Sequence, residues 1–351
     1  MIVVEKAAEG VAQVARYGLL VAPSANRVYT QSAPDLMAAE LAVFSERALG
    51  GRIEPAEVVE FAGRPYLTFE VEDGALTVDE LRVLANLSSA YALFEMVEGG
   101  LLRPLGEPSL DRYDDDLITI QKYAGKTNEH FTKLLLNVTV LATSWAEQLL
   151  TKRFTVLDPV AGRGTTLNQA LMYGWDAIGI ELDGKDVEAY SAFLKTWLKN
   201  KRIKHTTDMT PLRREGKRLG RRFDARIGDA RDNPQHLSLF EADTIQSRAL
   251  LKGNSVDVIA ADLPYGVVHG SRSAKGLARG PQELLEEALP GWSSLLRPGG
   301  ALGISWNTHV APREDALDLL EEHGLEAVDY EGFEHRVDQA ITRDILVARK
   351  V

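Results

Sequence analysis

An acid, a proline and an aromatic residue stand side by side in the stretch ADLPYGVVHGSRS, residues 261–273, directly after the apolar run VDVIA. The run predicts a buried strand, and Asp262 then lies at its carboxyl end. A carboxylate there can accept one N–H of an exocyclic base amine while the carbonyl of Leu263 accepts the other, which draws the nitrogen towards tetrahedral geometry. Pro264 stiffens the turn, and Tyr265 offers a ring on which a base can stack. The alternative is a strand followed by an ordinary proline turn.

Two earlier segments supply acids and glycines that suit a nucleotide cofactor. The stretch LDPVAGRGTT, residues 157–166, ends a predicted strand, turns on Gly162 and Gly164 and starts a helix whose free N–H groups can hold an anion. Glu181 follows at the end of the next predicted strand, where a carboxylate can accept hydrogen bonds from both ribose hydroxyls. Asp229, in GDAR, is expected at the end of a third strand, where it would accept from an adenine amino group.

Simpler interpretations exist for each of these residues. The glycine pair can be a tight turn, and each acid can be a solvated surface residue or a helix N-cap. Asp183 also competes with Glu181 as the ribose ligand. Acids at the ends of three successive predicted strands nevertheless favour an adenosine-containing cofactor. Asp158, which stands before the glycine pair, and the antiparallel strand predicted near the end of the chain favour S-adenosylmethionine over NAD.

The elements that must position these residues follow two patterns. Residues 1–112 predict a small α+β domain, with strands at 17–23 and 64–72 and a helix around 35–44. A capping box formed by Thr77 and Glu80 predicts a second helix that continues to residue 96. The polar stretch at 103–116 is the expected boundary.

Residues 113–351 alternate between helical and strand patterns, which predicts a parallel sheet covered on both faces. The predicted strands are 154–159, 175–183, 224–230, 255–264 and 299–307. The predicted helices are 127–150, 165–174, 184–199, 281–296 and 312–323. Two strand-like runs after residue 324 predict a hairpin that adds an antiparallel strand.

Composition limits the functions that the chain can have. The 351 residues are 45% hydrophobic, carry a net charge of −11 and include no cysteine, which excludes disulfides and thiolate chemistry. No apolar run is long enough to span a membrane, and the first residues do not resemble a secretory signal, so we expect a cytoplasmic protein. Residues 199–222 hold 10 Lys/Arg against two acids. This basic island is expected either to contact phosphates or to be a solvated surface.

The segments DPVAGRGTT, GIELD, GDAR and DLPYG, in this order, resemble the amino-directed class I methyltransferases, and DLPYGVVHGS is most similar to the THUMP-associated guanosine-N2 RNA methylases. The resemblance implies a Rossmann-like class I sheet with an antiparallel C-terminal hairpin, S-adenosylmethionine as cofactor, no metal, and RNA, most specifically tRNA, as substrate. It assigns the target base to Asp262, Leu263, Pro264 and Tyr265. It assigns cofactor binding to Asp158, Ala161, Gly162, Gly164, Thr165, Glu181, Asp229 and Ala230. RNA contacts are expected from Arg213, Arg214, Lys217, Arg218, Arg272 and Lys275.

The N-terminal part departs from the family pattern. Residues 1–112 lack the basic, glycine-containing pattern of a THUMP domain and hold 9 Lys/Arg against 17 Asp/Glu, so they are expected to dock a partner, to mediate self-association or to be a degenerate relative. Lys126 and Asn128 lie in a segment that resembles one closing over the cofactor, although both can be surface or cap residues. His335 and Arg336 are further candidates for contact with the substrate. The alternatives to an RNA enzyme are a DNA N6-adenine or N4-cytosine methyltransferase and a non-catalytic cofactor-binding protein.

Overall fold

The fold is described from a computed structural model of the chain. The structure describes residues 15–24, 26–71, 74–106, 108–123, 125–214, 217–229, 231–264 and 280–351. The predictions for Ala230, Tyr265, Arg272 and Lys275 lie outside the described residues, as do those for the side chains of Arg214, Lys217 and Arg218.

The helices and strands have the following bounds. The strands are β1 (Ala15–Val21), β2 (Glu57–Phe61), β3 (Arg64–Val71), β4 (Ala90–Val97), β5 (Leu101–Leu105), β6 (Thr155–Asp158), β7 (Asp176–Glu181), β8 (His205–Arg214), β9 (Lys217–Ile227), β10 (Gln235–Glu241), β11 (Val256–Asp262), β12 (Leu296–Asn307), β13 (Leu325–Val328), β14 (His335–Arg336) and β15 (Thr342–Lys350). The helices are α1 (Arg27–Ala48), α2 (Val78–Leu84), α3 (Asp116–Thr119), α4 (Glu129–Leu141), α5 (Thr165–Met172), α6 (Gly184–Asn200), α7 (Ser247–Leu250), α8 (Pro281–Leu295) and α9 (Arg313–Glu322).

The larger sheet has the strand order of the class I methyltransferases. Its order is β13-β15-β12-β11-β6-β7-β10-β9-β8, with β14 paired to β15. The five central strands β12, β11, β6, β7 and β10 are parallel. Strand β15 runs antiparallel between β12 and β13. The predicted α/β class and the antiparallel C-terminal hairpin are therefore confirmed.

The third parallel strand is not the one predicted at 224–230. Strand β9 covers this region and runs antiparallel to its neighbour, while β10 pairs in parallel with β7. The alternation of buried Phe223, Ala225 and Ile227 correctly indicates a strand, but a period of two carries no information about strand direction. Strands β8 and β9 pair antiparallel and contain most of the basic island.

The N-terminal residues form an antiparallel sheet of order β2-β3-β1-β4-β5. The capping box of Thr77 and Glu80 is confirmed at the start of α2, but the helix ends at Leu84 and not near residue 96. Asn86 Nδ2 donates to the carbonyl of Arg82 at the helix end, and the following residues pair with β1 as β4. Sheet pairing thus overrides the local helical pattern.

The two sheets share one continuous core. Buried residues from the N-terminal sheet, from α1 and from α4 belong to the same hydrophobic cluster. Glu40 of α1 is fully buried and accepts hydrogen bonds from Ser88 Oγ (2.6 Å) and from Asn137 Nδ2 of α4 (2.7 Å). Burial raises the pKa of Glu40. The N-terminal part is therefore packed directly against the helix that leads into the candidate site.

Candidate active site

Three predicted acids meet at the carboxyl edge of the parallel strands. Asp158 ends β6, Glu181 ends β7 and Asp262 ends β11, and these strands are neighbours in the order β11-β6-β7. Asp158 is buried, and burial together with the charges of Asp262 and Glu181 raises its pKa to about 7. The three carboxylates therefore lie at the same edge of the sheet, on neighbouring strands.

The loop after β6 is shaped by its two glycines. Gly162 has φ +50° and Gly164 has φ +78°, a region that favours glycine. The loop is fixed by hydrogen bonds from Ala161 N to the carbonyl of Ile180 (2.9 Å) and from Gly164 N to the carbonyl of Ala161 (2.7 Å). Helix α5 then begins at Thr165, so its first N–H groups face the edge of the sheet.

The two glycines face different surroundings. A Cβ atom on Gly164 would lie 2.4 Å from Cε2 of Tyr190, which is fully buried in α6. A Cβ atom on Gly162 would meet no atom within 4 Å. The loop therefore packs tightly on α6 at Gly164 and is open at Gly162, where a ligand can approach the backbone.

Glu181 is held by the backbone beside this loop. Its Oε2 accepts from Gly162 N and its Oε1 accepts from Asp183 N, both at 2.7 Å. Burial raises the pKa of Glu181. Asp183, the alternative ribose ligand, is the N-cap of α6 and accepts from Lys185 N (2.8 Å). Glu181 is thus the better oriented of the two carboxylates.

Asp262 is held by two hydroxyl groups that the sequence did not indicate. Its Oδ2 accepts from Thr127 Oγ1 at 2.7 Å, and its Oδ1 accepts from Ser305 Oγ of β12. Leu263 is buried and its N–H donates to the carbonyl of Ser305 at 2.9 Å, while Pro264 is exposed. A polar serine inside the apolar strand LGISWN is a signal that could have indicated Ser305 as a site residue.

The segment before α4 lies against the glycine loop. Tyr123 Oη is 3.3 Å from Thr165 Oγ1, and the Arg163 guanidinium lies 4.8 Å from the centre of the Tyr123 ring. Asn128 is the N-cap of α4, and Lys126 Nζ donates to the carbonyl of Ile118 (2.7 Å). These two residues are therefore structural, and Thr127 between them is the one that contacts Asp262.

Asp229 lies at the opposite edge of the sheet from the other acids. It follows β9 and precedes the first residue of β10, and its Oδ2 accepts from Lys204 Nζ at 2.6 Å. The prediction that Asp229 ends the third parallel strand is wrong, because β9 is antiparallel to β10 and Asp229 does not lie at the edge that holds Glu181 and Asp262. Sequence pattern alone could not give the direction of β9.

The residues that do follow the third parallel strand were missed. Glu241 ends β10 and is the register partner of Glu181, and Ala242 N donates to the carbonyl of Glu181 at 3.0 Å. Asp243 comes next, and its Oδ1 accepts from Ile245 N (3.2 Å). Asp243 thus lies at the edge of the sheet where Asp229 was expected.

His335 belongs to the packed interior. Its ring lies 5.3 Å from Phe131 and 6.0 Å from Tyr29, and its Nδ1 is 2.9 Å from the carbonyl of Phe333. The carbonyl accepts, so Nδ1 carries the proton. Burial lowers the pKa of His335 to about 4. His335 is therefore a buried, neutral residue of the core.

Within the described residues, no group of three or more His, Asp or Glu side chains is arranged to hold a metal ion. The described helices include none with the length and apolar character that crossing a membrane requires.

Comparison with known proteins gives structural similarities only. No protein-family model and no curated protein matches the chain. TrmN from Thermus thermophilus aligns over 96% of this chain and 100% of its own, with 14% identity and a TM-score of 0.45. The T. thermophilus 16S rRNA N2 methyltransferase RsmC aligns over 84% of this chain and 58% of its own, with 17% identity and a TM-score of 0.37. An rRNA methylase from Streptococcus thermophilus covers 65% of this chain and 99% of its own, with 12% identity and a TM-score of 0.35. At these scores, the fold assignment depends on the strand order of the chain itself.

Proposed function

We propose that the protein is an S-adenosylmethionine-dependent methyltransferase that acts on an exocyclic base amine of RNA, most specifically guanosine N2 in tRNA. The observation that carries this proposal is the Asp262 carboxylate, held between Thr127 and Ser305 beside the glycine loop and Glu181.

The residues present fit S-adenosylmethionine. The open backbone at Gly162 and the start of α5 suit the carboxylate of the methionine part, and Glu181 suits the ribose hydroxyls. Asp243 is assigned to the adenine amino group in place of Asp229. The buried carboxyl of Asp158 gives the site an acid that a cationic ligand would keep ionised. When bound, the cofactor supplies an electrophilic methyl group on a positively charged sulfur.

The residues that would bind the methyl-accepting amine are assigned from the position of Asp262. Its carboxylate is assigned to accept an N–H of the target amine and to take up the proton that the nitrogen loses during transfer. Thr127 and Ser305 hold the two oxygens in place, so that little reorganisation is needed when positive charge develops on the nitrogen. The carbonyl of Leu263 is assigned to the second N–H, and the predicted role of Tyr265 is to stack on the base.

RNA binding is assigned to the basic hairpin of β8 and β9. The target base has to be unstacked before its amine can reach Asp262, as in a loop or after flipping. Arg213 is exposed near the end of β8, and Arg218 is its register partner in β9. Arg214 and Lys217 pair one step further towards the turn. Arg272 and Lys275 remain predicted contacts.

The experiment is transfer of labelled methyl from S-adenosylmethionine to unmodified total tRNA and to duplex DNA, followed by nucleoside analysis. N2-methylguanosine made by the wild type and not by Asp262→Asn would support the proposal. Methylated adenine or cytosine in DNA would replace it with the DNA alternative. Cofactor binding without transfer to either nucleic acid would indicate a non-catalytic protein.

A further inference from the structure

The residue that orients Asp262 lies directly before helix α4. Thr127, whose Oγ1 donates to Asp262 Oδ2 at 2.7 Å, immediately precedes Asn128, the N-cap of α4. Asn128 Oδ1 accepts from the backbone N–H groups of His130 and Phe131, at 2.9 and 3.2 Å. The position of Thr127 relative to Asp262 therefore depends on what holds the start of α4.

The start of α4 is hydrogen-bonded to the N-terminal part of the chain through Ser24. Since Asn128 uses Oδ1 to cap the helix, its Nδ2 is available as a donor, and it donates to Ser24 Oγ at 2.8 Å. Ser24 is itself held at the start of α1, because its Oγ accepts from Asn26 N (3.2 Å) and its carbonyl accepts from Thr30 Oγ1 (3.1 Å). The hydroxyl of Ser24 thus joins the start of α1 to the start of α4.

The N-terminal part also holds the middle and the end of α4. Asn137 Nδ2 donates to Glu40 Oε1 of α1 and to the carbonyl of Asn86, at 2.7 and 2.8 Å. Arg47 Nε donates to the carbonyl of Leu141, the last residue of the helix, at 3.1 Å. Helix α4 is therefore hydrogen-bonded to the N-terminal part at its start, middle and end. The contact at the start is the one nearest the candidate active site.

This arrangement, taken with the proposed function on which the inference rests, gives the N-terminal part a role in the reaction. We propose that Ser24 is a positioning residue that orients Asp262 through the start of α4. Ser24 Oγ holds Asn128 at the first turn of the helix. The adjacent Thr127 then holds Oδ2 of Asp262 in a fixed orientation, so that the carboxylate needs little reorganisation when the target amine loses its proton. The N-terminal part therefore contributes to the methyl-transfer step itself, through a contact that does not involve RNA.

The test compares three variants of the full chain. Ser24→Ala removes the hydroxyl, and Ser24→Thr retains one. Ser45→Ala is the matched control, because Ser45 Oγ donates to the carbonyl of Ile53 (3.3 Å) and accepts from Ile53 N (3.2 Å), both contacts lying within the N-terminal part. The measurements are kcat and KM with tRNA, the Kd for S-adenosylmethionine, and urea unfolding.

Ser24→Ala should lower kcat about fivefold, the size typical of one neutral hydrogen bond, and leave KM and the Kd for the cofactor unchanged. Ser24→Thr should restore kcat, whereas Ser45→Ala should lower the free energy of unfolding without changing kcat. Since Ser24 is proposed to act through Thr127, the effects of substituting the two residues should not add. Ser24→Ala with Thr127→Val should therefore lower kcat about tenfold, as expected for Thr127→Val alone, and not about fiftyfold.

Hydrogen exchange of the backbone amides at the start of α4 supplies a readout that needs no turnover. Ser24→Ala should increase exchange at His130 and Phe131, and Ser45→Ala should not. An unchanged kcat in Ser24→Ala, additive losses in the double variant, or an equal loss of kcat in Ser45→Ala would overturn the inference and leave the proposed function intact. A wild type that transfers no methyl group to RNA, with exchange that still responds to Ser24→Ala, would contradict the proposed function and support the contact through which Ser24 acts.

Discussion

The tight contact between Gly164 and Tyr190 makes a quantitative prediction for the glycine loop. Gly164→Ala adds a methyl group 2.4 Å from a fully buried ring, and it also places alanine at φ +78°. The ring cannot easily move, because Tyr190 Oη donates to Asn168 Oδ1 at 3.0 Å and the side chain is packed in the core. The backbone conformation costs about 1–2 kcal/mol and the overpacking costs a further 1–3 kcal/mol, so we expect Gly164→Ala to lower the free energy of unfolding by about 2–5 kcal/mol.

Gly162→Ala is the matched control for this prediction. It also introduces alanine at positive φ, but its methyl group meets no atom within 4 Å. Its loss in the free energy of unfolding should be only about 1–2 kcal/mol. Urea unfolding of both variants, alongside the Kd for S-adenosylmethionine of the folded proteins, separates the two effects. Gly162→Ala should reduce the free energy of S-adenosylmethionine binding by more than it reduces the free energy of unfolding. Equal destabilisation by the two substitutions would refute the proposed packing of the loop.

Three further predictions concern the acids and hydroxyls of the site. The pKa of Asp158 is raised to about 7, and a cationic cofactor favours its ionised form. The affinity for S-adenosylmethionine, measured by calorimetry, should therefore rise about tenfold between pH 6 and pH 8. An affinity that does not change with pH would contradict this prediction. Asp243→Ala should weaken cofactor binding at least fivefold, whereas Asp229→Ala should leave the Kd unchanged, since Asp229 lies at the opposite edge. Thr127→Val should lower kcat about tenfold and leave the Kd for the cofactor unchanged, because it removes one hydrogen bond that orients Asp262. An equal loss of kcat and of cofactor affinity would instead indicate a folding defect.

The sequence predicts most of the fold because its elements are strongly patterned. The parallel strands that end in Asp158, Glu181 and Asp262 are short apolar runs followed by acids, and their positions are confirmed within a few residues. The error at 224–230 concerns strand direction, which depends on the partner strand and not on the local pattern. The helix predicted to continue past Leu84 fails for a related reason, since β1 provides a pairing partner that the local sequence does not reveal.

The hydroxyl partners of Asp262 could not be predicted from spacing. Thr127 is 135 residues from Asp262 in the chain, and Ser305 is 43 residues away. Such contacts form only when the turn before α4 and the end of β12 meet at one edge of the sheet. The local motif therefore predicts Asp262, whereas Thr127 and Ser305 can be identified as its partners only from the tertiary structure.

The most direct test of the central claim compares cofactor binding and single-turnover methyl transfer in the wild type and in Asp262→Asn. Asp262 is assigned to the acceptor amine and not to the cofactor. We therefore predict that Asp262→Asn binds S-adenosylmethionine with a Kd within about twofold of the wild type and loses at least about 100-fold in the rate of transfer to tRNA. An unchanged rate of transfer, or a loss of cofactor binding in a normally folded variant, would contradict the assignment.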